Sequence, residues 1–281
     1  MEGNGLIRSV RTNTLQNLHQ HSTFCDGKDT PEEVVLEAIA KGFGGIGFSS
    51  HCYMPIVQYS MTAENTPEYC KEINRLKAVY KDQIDVFLGL EYDHCCPLEP
   101  VGYDYLIGSL HNLYIDGEYR NFDGIPEKHK AMVDVYFGGD GLAFAKEYYR
   151  QLAKLPEKAP IDIIGHYDLI TRYQDTQPLF DWNDKAYRNA AIEAAEALAG
   201  RVPLFELNCG AVIRGTRTTP YPQDFIIKEL KRLGFGVVIT TDCHQKHLMD
   251  AWMEEGKEFL RNCGYEERHI LTKEGFIPVP L

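Results

Sequence analysis

Leu15-Gln16-Asn17-Leu18-His19-Gln20-His21-Ser22-Thr23-Phe24-Cys25-Asp26-Gly27 is the stretch on which the reading of this chain turns. Residues 15–19 read as a short strand, and the alternation of His19 and His21 sends both imidazoles to one face. An aspartate comes next, in a glycine-containing turn. Two nitrogens and a carboxylate brought together in this way begin a metal site with mixed nitrogen and oxygen ligands. A single His-x-His pair also fits two ordinary histidines, and the residues at the ends of the other strands decide between the two.

The chain has 281 residues, long for one open α/β domain and within the range of a single barrel. Hydrophobic residues make up 44% with no long apolar run, which excludes a membrane-spanning helix. The net charge of −12 argues against nucleic acid as a partner, whose usual footprint is a basic stripe. No basic region followed by an apolar stretch opens the chain, so a cytoplasmic home is expected. Cys25, Cys52, Cys70, Cys95, Cys96, Cys209, Cys243 and Cys263 form no C-x-x-C pair and no disulfide-like framework, so they are expected to be reduced thiols.

Residues 1–13 read as an extended lead-in. Strand-like runs come after it at 15–19, 45–49, 84–90, 103–109, 161–165, 202–207 and 235–240. Most are apolar without alternation, as in strands buried on both faces. Helices are expected between them: one opening at Thr30-Pro31-Glu32-Glu33 and ending before Gly42, then 67–81, 141–154, 183–199, 222–233 and 250–263. Seven strand–helix repeats predict a parallel sheet, and the length favours its closure into a barrel. No repeat or linker divides the chain, so residues 1–281 are expected to form one domain. Residues 112–140 are polar and dotted with glycine, and read as an excursion over the barrel mouth.

Chemistry-bearing residues recur where the strands end. His19, His21 and Asp26 follow the first, Ser50-His51 the second, Gly89-Leu90-Glu91 the third, and Gly108-Ser109-Leu110-His111 the fourth. Gly165-His166-Tyr167-Asp168 follows the fifth and Thr241-Asp242-Cys243-His244 the last. Barrel enzymes place their active sites at this C-terminal end. Each residue alone has a capping or packing explanation; their joint placement at six strand ends does not. Bridging carboxylates with terminal imidazoles suit several divalent ions held close together. Such ions generate a hydroxide nucleophile near neutral pH and neutralise phosphate charge.

The ordered set His19-x-His21, Ser22-Thr23-Phe24-Cys25-Asp26-Gly27, Ser50-His51, Gly89-x-Glu91, Gly108-Ser109-Leu110-His111, Gly165-His166 and Asp242-x-His244 resembles that of the polymerase-and-histidinol-phosphatase (PHP) family, over about residues 15 to 250. The resemblance implies a distorted (β/α)7 barrel with two to three divalent ions (zinc, manganese or iron). It implies that His19, His21, Glu91 and Asp242 hold the first ion, Asp26, His51 and His244 the second, and Glu91, His111 and His166 the third. Asp26, Glu91, Asp242 and His244 would thus carry the catalysis.

Within the family the chain resembles the stand-alone histidinol-phosphatase branch through Tyr103–His111, Gly165–Ile170 and Glu206-Leu207-Asn208 with Tyr221-Pro222. That implies hydrolysis of L-histidinol phosphate, a step of histidine biosynthesis, by a metal-bridging hydroxide. It also implies arginines on the phosphoryl oxygens: Arg172 at the first position, and Arg214 or Arg217 at the second. An arginine fork matches phosphate geometry; Arg217 reads instead as a surface salt bridge. Asn17 and Ser50 stand where the family often has acids that orient ligand imidazoles. His94 reads as structural or substrate-side, and His129 and His269 as exposed loop or helix residues.

The alternative substrate is a nucleotide or another small phosphomonoester, against which the acidic balance stands. A metal-dependent amidohydrolase fits Asp26 and His244 poorly. A non-catalytic metal-binding protein would have lost ligands or arginines, and none is missing here.

Overall fold

A computed structural model describes residues 13–281; the lead-in expected over 1–13 lies, except for Asn13, outside the described residues. The parallel strands run Gln16–Asn17, Gly45–Phe48, Asp85–Tyr92, Tyr105–Gly108, Ile163–Ile164, Leu204–Asn208 and Gly236–Thr240. They lie side by side in chain order, each paired in parallel with the next. The last returns to the first: Gln20 and Cys243 form a parallel bridge, with His21 N donating to Cys243 O at 2.9 Å and Cys243 N to His19 O at 3.1 Å. The sheet is thereby nearly closed at the end where the candidate residues cluster. This is the expected barrel of seven strands, although the first and fifth are shorter than the apolar runs suggested.

Helices Pro31–Ala40, Thr66–Val79, Gly141–Leu152, Lys185–Leu198, Asp224–Arg232 and Met253–Asn262 surround it, close to the expected ranges. The first starts on a capping box, Thr30 N donating to Glu33 Oε2 at 2.9 Å and Glu33 N to Thr30 Oγ1 at 3.4 Å. Among the described residues no helix is long and apolar enough to cross a membrane, and all eight cysteines are free thiols.

Two features depart from the sequence reading. Residues 112–140 form the expected excursion between the fourth and fifth strands, but it carries regular structure that the sequence did not signal. They form a hairpin, Asn112–Ile115 with Glu118–Asn121, followed by the helix Pro126–Tyr136, which buries His129, Met132 and Val133. His129 is therefore a core residue rather than an exposed one. After residue 263, where nothing was expected, Glu267–Thr272 and Gly275–Pro280 make a second hairpin. His269 lies half-buried on its first strand, again not in an exposed loop or helix.

This second hairpin stoppers the barrel. Leu271 joins Leu18, Phe87, Tyr105, Ile107, Ile163, Leu204 and Val238 in one buried cluster inside the sheet. Gln16 ties it on: its amide donates to Leu271 O at 3.0 Å and accepts from Leu271 N at 2.7 Å. Above, the Tyr105 ring crosses the interior and its hydroxyl donates to the carbonyls of Leu18 and Phe48. Gly47 and Gly89 make room for it. A Cβ on Gly89 would lie 2.2 Å from Tyr105 Cζ, and one on Gly47 2.4 Å from its hydroxyl. The glycine two residues before Glu91 is thus a packing requirement of the layer that carries the site.

Because that layer is filled, Gly89→Ala is expected to destabilise the fold by about 1–3 kcal/mol through overpacking. Urea denaturation of Gly89→Ala, Tyr105→Leu and the double variant checks it. A double variant no more stable than the sum of the single losses predicts would rule out the steric cause.

Candidate metal centre

Most candidate ligands are delivered by backbone past a strand's end, while Glu91 sits in the strand Asp85–Tyr92 itself, one residue from its end. Asp26 sits in a tight turn, with Cys25 N and Gly27 N both donating to Ser22 O at 3.0 and 3.1 Å. Gly27 is required there, since a Cβ would lie 2.4 Å from Ser22 N. Lys28 N donates to His244 O at 2.8 Å, holding this turn against the last strand's loop. His51 forms a parallel bridge with Glu91. Asp242 adopts φ 48°, a left-handed conformation that aspartate tolerates better than most residues. That turn aims the Asp242 carboxylate and the His244 ring at the same space.

Glu91 lies at the centre and is buried. Its Oε1 is 2.9 Å from His166 Nε2 and 3.4 Å from both His19 Nε2 and His111 Nε2. Its Oε2 is 2.6 Å from His51 Nδ1 and 3.7 Å from His21 Nε2. Asp26 Oδ1 is 3.3 Å from His244 Nε2 and 3.7 Å from both His51 Nε2 and His21 Nδ1. Asp242 Oδ1 is 3.2 Å from His21 Nε2 and 3.8 Å from His19 Nε2. All nine residues read as ligands from the sequence therefore meet in one place.

Three sets of these donors are close enough to share an ion: His21, Asp26, His51 and His244; His19, His21 and Glu91; His51, Glu91 and His111. This grouping differs in detail from the one implied by the resemblance. His21 reaches two sets, His51 reaches toward Glu91 as well as Asp26, and His166 and Asp242 stand at the edge.

The donors fit a cation on two counts. His19 Nε2, His21 Nε2, Asp26 Oδ1, His51 Nδ1 and Glu91 Oε2 are buried without a hydrogen-bond partner, and buried polar atoms are rarely left so. The charges agree. Burial pushes the Glu91 carboxyl up, but His51, His19 and His111 outweigh it and hold it well below the usual range. Burial also opposes ionisation of Asp242, and Arg214 and His19 outweigh it. Burial, with His244 and His51 close by, pushes His21 down to about 3, leaving it neutral and able to ligate.

Carboxylates behind the ligands fix their orientation. Glu206 Oε2 is 2.8 Å from His19 Nδ1 and accepts from Thr240 Oγ1 at 2.7 Å; its Oε1 accepts from His166 N and Asn208 Nδ2, both at 2.7 Å. Asp93 accepts from His111 N at 2.7 Å, Asn112 Nδ2 at 3.0 Å and Cys95 N at 3.0 Å, and lies 3.5 Å from His111 Nδ1. Burial opposes its charge, yet these contacts hold Asp93 down to about 2. The orienting acids are therefore not at the positions of Asn17 and Ser50. Asn17 instead accepts from His19 N at 3.1 Å and donates to Thr241 Oγ1 at 2.7 Å, joining two ligand-bearing segments through the His19 backbone and the Thr241 hydroxyl. Glu206 lies within the strand Leu204–Asn208, in the Glu206-Leu207-Asn208 run singled out from the sequence but without a sign of this role, and Asp93 directly follows the strand Asp85–Tyr92, two residues after Glu91.

A cavity of about 250 Å3 opens on the cluster, lined by ligand residues together with Tyr59, Asp123, Gly124, Leu169, Arg172 and Arg214. Arg172 donates to Asp123 Oδ1 at 2.6 Å. Arg214 donates to the Asp242 carbonyl and carboxylate, both at 3.0 Å. Arg217 is not in the cavity wall. It is buried, neither a surface residue nor a wall residue, with its guanidinium 3.4 Å from both Asp168 oxygens and 4.6 Å from the Tyr221 ring centre, and it donates to Thr171 Oγ1 at 2.7 Å. A larger cavity of about 860 Å3 at the stoppered end carries no such convergence of ligands among the described residues.

The model of the PHP domain family matches residues 17–209. The chain is 28% identical over 270 residues to a histidinol-phosphatase of Lactococcus lactis, covering 89% of this chain and 91% of that one. It is 24% identical over 254 residues to a histidinol-phosphatase of Bacillus subtilis, covering 81% and 92%. The crystal structure of the Lactococcus lactis histidinol phosphate phosphatase, complexed with zinc, L-histidinol and phosphate, superposes with a TM-score of 0.68 at 22% identity. That match covers 94% of this chain and 98% of the other.

Glu206→Gln is expected to weaken metal binding about 10- to 100-fold while leaving the fold intact, since it removes the anionic acceptor behind His19. Competition with a chromophoric chelator, alongside circular dichroism, measures both. Unchanged affinity would mean that Glu206 serves packing alone.

Proposed function

The chain belongs to the PHP domain family, and from that membership we propose that it is a phosphoric monoester hydrolase that converts L-histidinol phosphate to L-histidinol and inorganic phosphate. The reading includes the sequence-derived expectation that residues 1–281 act as one catalytic domain in histidine biosynthesis. The observation that carries it is the pairing, in one cavity, of an imidazole–carboxylate cluster with two arginines on its wall. The relatives that cover most of the chain bear the same activity in their names.

His19, His21, Asp26, His51, Glu91, His111, His166, Asp242 and His244 would hold two to three divalent ions, drawn from zinc, manganese and iron. When bound, such ions activate water as a nucleophile at neutral pH and offset the charge of a phosphate dianion. The remaining work falls to the chain's own residues. Arg172 and Arg214 bind non-bridging phosphoryl oxygens, each guanidinium already aimed by a carboxylate, Asp123 and Asp242 respectively. Gly210 lets Arg214 fold back on its own turn, because a Cβ there would lie 2.6 Å from Arg214 Nη2. Preset cations of this kind need little reorganisation when charge develops on the phosphoryl group.

Purified protein loaded with metal should release phosphate from L-histidinol phosphate far faster than from generic phosphate esters. Equal rates on both would defeat the substrate assignment. Arg172→Ala and Arg214→Ala should each lower kcat/KM about 100-fold or more. Arg217→Ala is expected to act on stability instead, by about 3–5 kcal/mol, because it strands the buried Asp168 carboxylate. Urea melts separate that loss from a catalytic one.

A further inference from the structure

The cavity holds one carboxylate that the metal centre does not use. Asp26, Glu91 and Asp242 belong to the ligand cluster; among the described residues lining the cavity, Asp123 is the remaining acid. It comes from the stretch between the fourth and fifth strands. The residues before it are anchored. Asn121 Nδ2 donates to Tyr59 Oη at 3.0 Å and to His111 O at 3.1 Å, and Phe122 is buried against Phe144 and Tyr148. His129 lies 3.8 Å from the carboxylate, and Tyr173 Oη donates to the Gly124 carbonyl. Asp123 is thus a rigidly mounted anion beside a cation proposed to bind phosphate.

Resting on the phosphatase reading, we propose that Asp123 is a specificity-determining residue that binds an ammonium group on the substrate. The Asp123–Arg172 pair would then select phosphate monoesters that carry an amine close to the ester oxygen. In L-histidinol phosphate the amine sits on the carbon next to the ester methylene, so anion and cation are one short link apart. The protein presents the opposite pair at matching closeness, Arg172 Nη1 and Asp123 Oδ1 being 2.6 Å apart. Substrate phosphate on the arginine and ammonium on the aspartate would give four alternating charges in a site largely shut off from water, where such pairing is strongest. Asp123 is suited to stay ionised: burial opposes its charge, but Arg172 and His129 hold its carboxyl well below the usual range. An ester lacking the amine would leave the carboxylate with Arg172 and His129 but with no partner on the ligand, and would forfeit that ion pair.

The test compares L-histidinol phosphate with its deaminated analogue, 3-(imidazol-4-yl)propyl phosphate, on the metal-loaded wild type and on Asp123→Asn. Binding is measured by calorimetry and turnover by phosphate release. Asp123→Asn keeps the shape and removes the charge, so it should cost the amino ester about 10- to 100-fold more than the deaminated one, and Asp123→Glu should restore part of the preference. Equal losses on the two esters would overturn the proposal and reduce Asp123 to a positioning residue for Arg172. Asp123-dependent preference in binding without turnover of either ester would uphold the recognition and overturn the phosphatase reading instead.

Discussion

Glu91 is a charged carboxylate buried at the mouth of a barrel, and the organisation of the site comes from keeping it so. An isolated buried carboxylate is costly enough that it normally takes up a proton. Here five imidazoles close around its two oxygens at 2.6 to 3.7 Å, with Asp26 and Asp242 beside them. So many anions in one dry pocket require positive charge: against burial, the acids raise His19 and His111 well above the usual range, while His21, held low, offers a lone pair instead. Divalent ions answer both needs at once, which is why buried donors without hydrogen-bond partners are concentrated here.

The barrel makes this concentration possible by filling the space beneath it. Tyr105 crosses the interior, Gly47 and Gly89 give way to its ring, and Leu271 of the C-terminal hairpin stoppers the layer below. With no space to sink into, the mouth residues converge outward on one cavity. The acids behind them then divide the labour. Glu206 gathers His19, the backbone of His166, Thr240 and Asn208, while Asp93 holds His111 through its backbone and ring. Arg217 shows the same economy in a structural role: its charge is consumed by Asp168 and the Tyr221 ring, out of the cavity's reach.

The ligand set and the barrel were legible because both are local signals: an apolar run, then a metal-binding residue type, repeated six times in register with the strands. The orienting acids were not. Glu206 stands out in the sequence only as part of the Glu206-Leu207-Asn208 resemblance, and its orienting role shows only through its partner across the barrel, 187 positions away. Asn17 and Ser50 looked like places where orienting acids had been lost, yet Asn17 works through the His19 backbone and the Thr241 hydroxyl. His129 looked exposed because a polar segment hides the fact that its helix packs Met132 and Val133 inward. The C-terminal hairpin went unread because its pairing with Gln16 spans nearly the whole chain.

Where the sequence was hardest to read is also where selectivity has room to differ. The metal ligands are tied to strand register, and a shift of one residue would turn an inward side chain outward, so that part of the site cannot be tuned without dismantling it. Apart from Asn112, Asn121 and Phe122, which donate to Asp93 and to His111 O, the segment from Asn112 to Tyr136 is under no such constraint. It is inserted between two barrel strands, brings its own hairpin and helix, and touches the cavity through Asp123 and Gly124. A segment of this kind can change length and charge while the hydrolytic centre beneath it keeps its geometry. Hydrolytic chemistry and the choice of ester are thus carried by separable stretches of one chain, and Arg172 is where they meet, touching Asp123 on one side and the cavity on the other.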